Sequence, residues 1–168
     1  MGTPSRQASV SFGPSVDRLL RLFRVDFAPD PVQPSWARLA VATLVSVVGS
    51  LVADAVLVVL GTRVFPSTKG YVHFQFPDYA KLTVVGVIIA CVAWPIVTRI
   101  SSEPRWLFFR MAIVVTVVLF LPDLWIYLRG EPGKAVDVLL LMHLAIALVT
   151  YNALVRIAPA GGSRPHRS

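Results

Sequence analysis

Three ionisable side chains lie inside long apolar stretches of the sequence: Asp54, Asp123 and His143. A charged group in the middle of a bilayer costs about 2.5–3.5 kcal/mol and usually faces the interior of a helix bundle. Two carboxyls and one imidazole could neutralise each other, bind and release protons, or hold a metal ion. Any of these chemistries requires the folded chain to bring the three residues together.

The spacing of these residues from the charged ends of their stretches predicts a shared depth. Asp54 lies nine residues before the basic end of its stretch, and Asp123 lies six residues before the basic end of its own. His143 lies six residues after Asp137, where the last stretch begins. At about 1.5 Å per residue, each lies roughly 9–14 Å below the same membrane surface. We therefore predict one polar layer.

Two further polar residues lie on the same helix faces as the two acids. Ser50 lies one turn before Asp54, and Thr116 lies two turns before Asp123. Residues three and four apart are neighbours on a helix surface. The candidate binding residues are therefore Asp54, Asp123, His143, Ser50 and Thr116.

Pro95 and Pro122 are predicted helix kinks. A proline inside a helix removes one hydrogen bond and frees the carbonyl four residues earlier, which for Pro122 is that of Val118. Both kinks either shape the packing alone or, at Pro122, open a hydrated notch beside Asp123.

The favoured interpretation of the three groups is an internal clamp, because a carboxylate paired with a protonated imidazole neutralises charge and fixes helix register. A proton-linked or substrate-binding site is the second interpretation, because an imidazole titrates near neutral pH. Two carboxylates and one histidine can also ligate a metal, but no local spacing motif supports this. We predict no metal site, no cofactor and no catalytic residue.

The composition indicates the elements that must position these residues. The chain is 55% hydrophobic and 15% charged, with a mean hydropathy of +0.69. Soluble domains carry about 25% charged residues, and a membrane-spanning helix needs about 20 mostly apolar ones. The predicted fold class is an all-α integral membrane four-helix bundle over 36–158, with spans at about 39–62, 79–98, 106–128 and 136–156.

The segments outside the bundle are predicted from their prolines and polar residues. Residues 1–35 are expected to form a flexible cytoplasmic arm, within which 15–25 form either a short interfacial helix or part of the free arm. Residues 159–168 are predicted to be a disordered tail. The alternation of residues 71–76 predicts a short strand or a loop on the membrane surface.

The basic residues predict orientation and partners. Eleven Lys and Arg residues fall on the side of the two termini and five on the other side. The positive-inside rule therefore makes both termini cytoplasmic in a multi-pass protein of the plasma membrane. The net charge of +7 favours contact with anionic membrane lipids. Nucleic-acid binding is not predicted, because the basic residues do not gather on one element.

Two short motifs carry a family resemblance: Leu121-Pro122-Asp123-Leu124 and Met142-His143-Leu144. With them, the chain over 37–159 resembles an uncharacterised actinobacterial family of small four-span membrane proteins. Arg outnumbers Lys by 13 to 3, as a GC-rich genome would give. The resemblance implies no activity; it implies only that Pro122-Asp123 and His143 belong to one pattern.

The sequence favours a small accessory or interaction subunit, because four spans around a narrow axis leave little room for a substrate path. Its partners would be a larger membrane complex or further copies of the chain. The alternative is a proton-coupled transporter or channel that uses Asp54, Asp123 and His143. A second alternative is a membrane enzyme acting on lipid or quinone headgroups, which would require a lipid-sized cavity beside the three groups.

Overall fold

The computed structural model describes residues 13–160, apart from residues 24, 28 and 31 and the side chains of residues 17 and 21. Residues 1–12 of the predicted arm and residues 161–168 of the predicted tail lie outside the described residues. Of the C-terminal tail, Pro159 and Ala160 are described, and Ala160 is buried against the bundle.

The described residues form helices and no strand, which confirms the all-α prediction. Four of the five α-helices are long and apolar enough to cross a membrane, and each contains one predicted span. The four long helices extend beyond the predicted spans by up to three residues at each end. The helices are α1 (Pro14–Phe23), α2 (Trp36–Val64), α3 (Phe76–Ile100), α4 (Pro104–Leu128) and α5 (Gly133–Ile157).

Local sequence signals account for the starts of α2 and α4. The Ser35 hydroxyl accepts a hydrogen bond from the Arg38 N–H at 3.4 Å and so caps α2. Pro104 begins α4, where the missing proline N–H has no intrahelical partner to lose. Pro95 and Pro122 lie inside α3 and α4, and both helices continue through them.

Short connections make successive long helices antiparallel. The termini, the end of α3 and the start of α4 meet at one end of the bundle, here called the terminal end. The opposite end is the distal end. The most extensive contact is between α2 and α5, followed by those of α4 with α5 and of α2 with α3. The helices are thus arranged around the axis in the order α3, α2, α5, α4.

Two groups of buried apolar side chains fill the ends of the bundle. The terminal layer includes Trp94, Phe108 and Leu154, and the Trp94 Nε1–H donates to the Ala158 carbonyl at 2.9 Å. The distal layer is built on Phe74, Tyr79, Ala135, Val138, Leu139 and Met142. Buried polar residues occupy the bundle interior between these two layers.

The segment before α2 differs from the predicted free arm. Phe27 and Asp30 donate backbone hydrogen bonds to the carbonyls of Ile100 and Thr98, at 3.0 and 2.9 Å. The Gln33 side chain donates to the Thr98 carbonyl and accepts from the Thr98 hydroxyl. These contacts tie the segment to the end of α3, so the prediction of a flexible arm is wrong for this part. The interfacial location of α1 remains a prediction.

Residues 71–76, for which a strand or a loop was predicted, form no strand; they lie in the connection between α2 and α3 and at the start of α3. This connection forms two 3-10 turns, Pro66–Thr68 and Val72–Phe74. The Phe74 N–H bonds to the Tyr71 carbonyl at 3.0 Å, within the chain rather than across to a strand. The aromatic alternation instead reflects burial of Phe74 in the distal layer.

The α2–α5 contact depends on Gly61, and this generates a prediction. A Cβ at position 61 would lie 2.7 Å from a methyl carbon of Val138, a β-branched side chain with little freedom to move. We expect Gly61→Ala to destabilise the bundle by about 1–3 kcal/mol, measured by thermal unfolding in detergent. Val138→Ala in the same chain should restore the stability.

Gly86→Ala is the matched control, because nothing lies within 4 Å of its added Cβ. It should leave stability unchanged or raise it, by up to about 1 kcal/mol from helix propensity. Equal effects of the two substitutions would contradict the packing described here.

Candidate polar site in the bundle interior

Asp123 and His143 form an ion-pair contact between α4 and α5. His143 Nδ1 lies 3.1 Å from Asp123 Oδ2 and 3.0 Å from the Leu139 carbonyl oxygen. The Leu139 carbonyl makes the directed hydrogen bond, whereas the contact with Asp123 is electrostatic. The side chain of Asp123 is 6% exposed and that of His143 is 26% exposed. The imidazole therefore forms the rim of the site and the carboxylate its interior.

Asp54 is held from the other side of the bundle. It is fully buried on α2 and accepts a 2.6 Å hydrogen bond from the Thr83 hydroxyl of α3. Asp54 and His143 are also close enough to interact electrostatically. Each long helix thus contributes one polar side chain to a single layer: Asp54, Thr83, Asp123 and His143. We call these four residues the polar layer.

The two hydroxyl candidates lie on the terminal side of the polar layer. Ser50 is fully buried on α2, one turn from Asp54. Thr116 is buried on α4, but its hydroxyl donates to the Ala112 carbonyl of its own helix at 2.8 Å. Thr116 therefore satisfies its own hydrogen bonding and does not bind the acids.

Several buried oxygens of the bundle make no hydrogen bond among the described residues. They are Asp54 Oδ1, Asp123 Oδ2 and the hydroxyl oxygens of Ser50, Tyr71 and Thr150. Buried polar atoms are nearly always paired in proteins, so a group of unpaired ones points to a functional role or to an additional polar partner. Asp54 Oδ1 can accept a hydrogen bond while Oδ2 keeps its bond from Thr83, whereas Asp123 Oδ2 already faces His143 Nδ1 at 3.1 Å.

Tyr71 lies near the polar layer, in the connection between α2 and α3. Its ring packs edge-on against Phe74 and His73, at centroid distances of 5.2 and 5.3 Å. Burial raises the pKa of the Tyr71 phenol, and the negative charges of Glu131 and Asp123 raise it further. The phenol is therefore neutral, and it belongs to the distal closure of the site.

Sequence reasoning left Thr83 and Tyr71 out of the candidate site. Thr83 could have been found by the depth argument, because it lies seven residues after the start of α3 at Phe76. That distance is about 10 Å and matches the depth of the three ionisable groups. Tyr71 has no such signal, because a loop has no fixed rise per residue.

Pro122 lies apart from the polar layer although it adjoins Asp123 in sequence. Pro122 and Val118 are both exposed on the outer face of α4, whereas Asp123 is buried. The interpretation in which Pro122 only shapes packing therefore fits the structure better than a hydrated notch at the acid. Pro95 is half-buried in α3, and its carbonyl accepts from the Thr98 hydroxyl at 2.9 Å.

Two further interpretations can be compared with the geometry. Among the described residues, no group of three or more His, Cys, Asp or Glu side chains has an arrangement that could hold a metal ion. A lipid-sized groove of about 690 Å³ lies between α4 and α5, as a lipid-modifying enzyme would need. However, none of the three ionisable residues lines it. Phe120 lines the groove, and its ring packs edge-on against the His143 imidazole at a centroid distance of 6.4 Å.

The fold and the polar layer define a multi-pass membrane protein with ionisable groups in its interior. A family model, described as a family of unknown function (DUF6069), matches residues 30–160. The chain belongs to this family. No curated protein and no solved structure matches it.

The Thr83–Asp54 hydrogen bond generates the second prediction. Thr83→Val keeps the shape of the side chain but removes the donor, which leaves a fully buried carboxylate without its bond. We expect a loss of stability of about 1–3 kcal/mol, measured by thermal unfolding in lipid nanodiscs. Thr83→Ser retains the hydroxyl and should lose less. If Thr83→Val and Thr83→Ser unfold alike, the hydroxyl does not stabilise Asp54.

Proposed function

We propose that the protein is a small accessory subunit of a larger membrane assembly, and that the polar layer is the clamp that fixes its four helices. The observation that supports this proposal is the position of the polar layer between two packed apolar layers. Trp94, Phe108 and Leu154 pack on its terminal side, and Phe74, Tyr79 and Met142 pack on its distal side.

This arrangement favours a structural role over a substrate path through a monomer. A solute would have to displace large side chains on both sides of the polar layer. The contacts that cross between helices, Asp123 with His143 and Thr83 with Asp54, instead join α4 to α5 and α2 to α3. Removing one partner of a buried charged pair is strongly destabilising, because the other charge is left buried without compensation.

The outer faces of the helices support an interaction role. In α4, 11% of the most apolar 18-residue window is buried within the chain, compared with 22–28% in the other spans. This helix therefore presents the largest share of apolar surface to its surroundings. We propose α4 as the side that meets a partner helix, with lipid covering the remaining faces.

A second candidate function is proton-coupled transport, and a specific observation favours it. A completed clamp would hydrogen-bond its polar atoms, whereas Asp54 Oδ1 is buried without a hydrogen bond and Asp123 Oδ2 has only the electrostatic contact with His143. Together with the half-buried His143, these oxygens offer sites where protons can be exchanged. In that case the apolar layers would act as closed gates on both sides.

The setting of the protein is part of the proposal. The excess of basic residues on the side of the termini supports a cytoplasmic location for both, in the plasma membrane. The preponderance of Arg over Lys supports an actinobacterial origin.

Gentle extraction from the native membrane tests the accessory role. A tagged protein solubilised in its own lipids should run in native mass spectrometry as part of a stoichiometric hetero-complex. A bulky substitution on the outer face of α4, Val117→Trp, should dissociate the protein from its partner. The melting temperature of the isolated variant should stay unchanged. A monomer or homo-oligomer as the sole species would contradict the proposal.

Reconstitution into liposomes separates the two candidates. The accessory role predicts no proton entry above that of empty liposomes under an imposed pH gradient, and a lower melting temperature for Asp123→Asn and His143→Gln. Transport predicts protein-dependent entry that these variants abolish while remaining folded. Asp137→Asn is the matched control, because this carboxylate is exposed at the distal end of α5 and outside the polar layer.

A further inference from the structure

A cleft of about 480 Å³ opens at the terminal end of the bundle, between the start of α2 and the end of α5. It is separate from the polar layer, which lies roughly 25 Å along the bundle from the start of α2 at about 1.5 Å per residue. The cleft combines two basic side chains with apolar walls: it is lined by Ala37, Arg38, Val41, Arg156, Ile157 and Pro159.

The electrostatics of the cleft favour an anion. Arg38 and Arg156 are both exposed, and neither guanidinium has a carboxylate partner within the part of the chain that the structure describes. The Ser35 hydroxyl already accepts the Arg38 N–H in the first turn of α2, so the attraction rests on the two guanidiniums. Two guanidiniums suit a phosphate, because guanidinium groups bind its oxygens in pairs of hydrogen bonds.

The walls of the cleft favour a ligand with an acyl chain. Val41 lines the cleft, lies inside the apolar span of α2 and is 52% exposed. Trp36 is 77% exposed one residue before the cleft begins, as is typical of tryptophan at a membrane surface. The cationic mouth therefore lies at the headgroup level, and the apolar wall continues from it toward the hydrocarbon region.

We infer that this cleft binds one anionic glycerophospholipid, with the phosphate between Arg38 and Arg156 and an acyl chain along Val41. The lipid comes from the leaflet at the terminal end, which the basic residues predict to be the cytoplasmic one. Basic pockets between spanning helices on that side are suited to anionic headgroups. A free phosphate would use the guanidiniums but gain nothing from the apolar wall.

Native mass spectrometry of the full chain tests this inference. The purified protein is titrated in detergent with phosphatidylglycerol, with phosphatidylcholine as the zwitterionic probe and with inorganic phosphate as a competitor. We expect the protein to retain one phosphatidylglycerol tightly. In Arg38→Gln/Arg156→Gln, the affinity for this lipid should fall by at least about tenfold relative to the unsubstituted protein. Inorganic phosphate should not displace the lipid, because it cannot replace the acyl contacts.

Arg99→Gln/Arg105→Gln is the matched control. It removes the same charge from the same end of the bundle, at two exposed arginines that do not line the cleft. It should keep the wild-type affinity, and both double variants should keep the lipid-free melting temperature. Each single cleft variant should lose part of the affinity, so the test stands even if the double variant does not fold.

Three outcomes would overturn the inference. Equal loss of lipid in the two double variants would mean that net charge alone attracts the lipid. Equal retention of phosphatidylcholine would mean that the cleft does not select an anion. Displacement by inorganic phosphate would identify a site for a free anion instead of a lipid.

Discussion

The cost of charge inside an apolar bundle constrains the structure more than any other interaction. Asp54, Asp123 and His143 come from three different helices, and none has a partner on its own helix that could neutralise its charge. The Asp123–His143 contact at 3.1 Å fixes the rotation and register of α4 against α5, and the Thr83–Asp54 bond at 2.6 Å does the same for α2 against α3. The apolar side chains, which could pack in several ways, then fill the space on either side.

The ends of the bundle follow from this central register. At the distal end, the connection before α3 turns inward, so that Phe74 closes the bundle and Tyr71 lies near the polar layer. At the terminal end, Trp94 bonds to the Ala158 carbonyl, and the segment before α2 bonds to the end of α3. Both closures use aromatic rings and backbone hydrogen bonds, and the Arg38–Arg156 cleft remains open beside the terminal one.

The spans could be predicted because apolar runs of this length suit only a few structures. The shared depth of the three ionisable groups could also be predicted, because a helix has a fixed rise per residue. Of the two alternatives predicted for residues 71–76, only the strand is wrong, because a two-residue alternation describes which side chains are buried, and a 3-10 turn can bury the same ones. The contacts of Phe27 and Asp30 with α3 involve backbone atoms, which carry no sequence signal. Which hydroxyls pair within the polar layer depends on helix rotation, so Thr116 was included and Thr83 was omitted.

Solid-state NMR in lipid bilayers tests the meeting of the helices in the polar layer most directly. The chain has three histidines, and His73→Gln with His166→Gln leaves His143 as the sole one. With nitrogen-15 in histidine and carbon-13 in the aspartate carboxyls, the account predicts a dipolar contact between His143 Nδ1 and one carboxyl carbon. Asp123→Asn should abolish this contact, and Asp137→Asn should leave it intact. A missing contact in the single-histidine protein, or one that survives Asp123→Asn, would contradict the account.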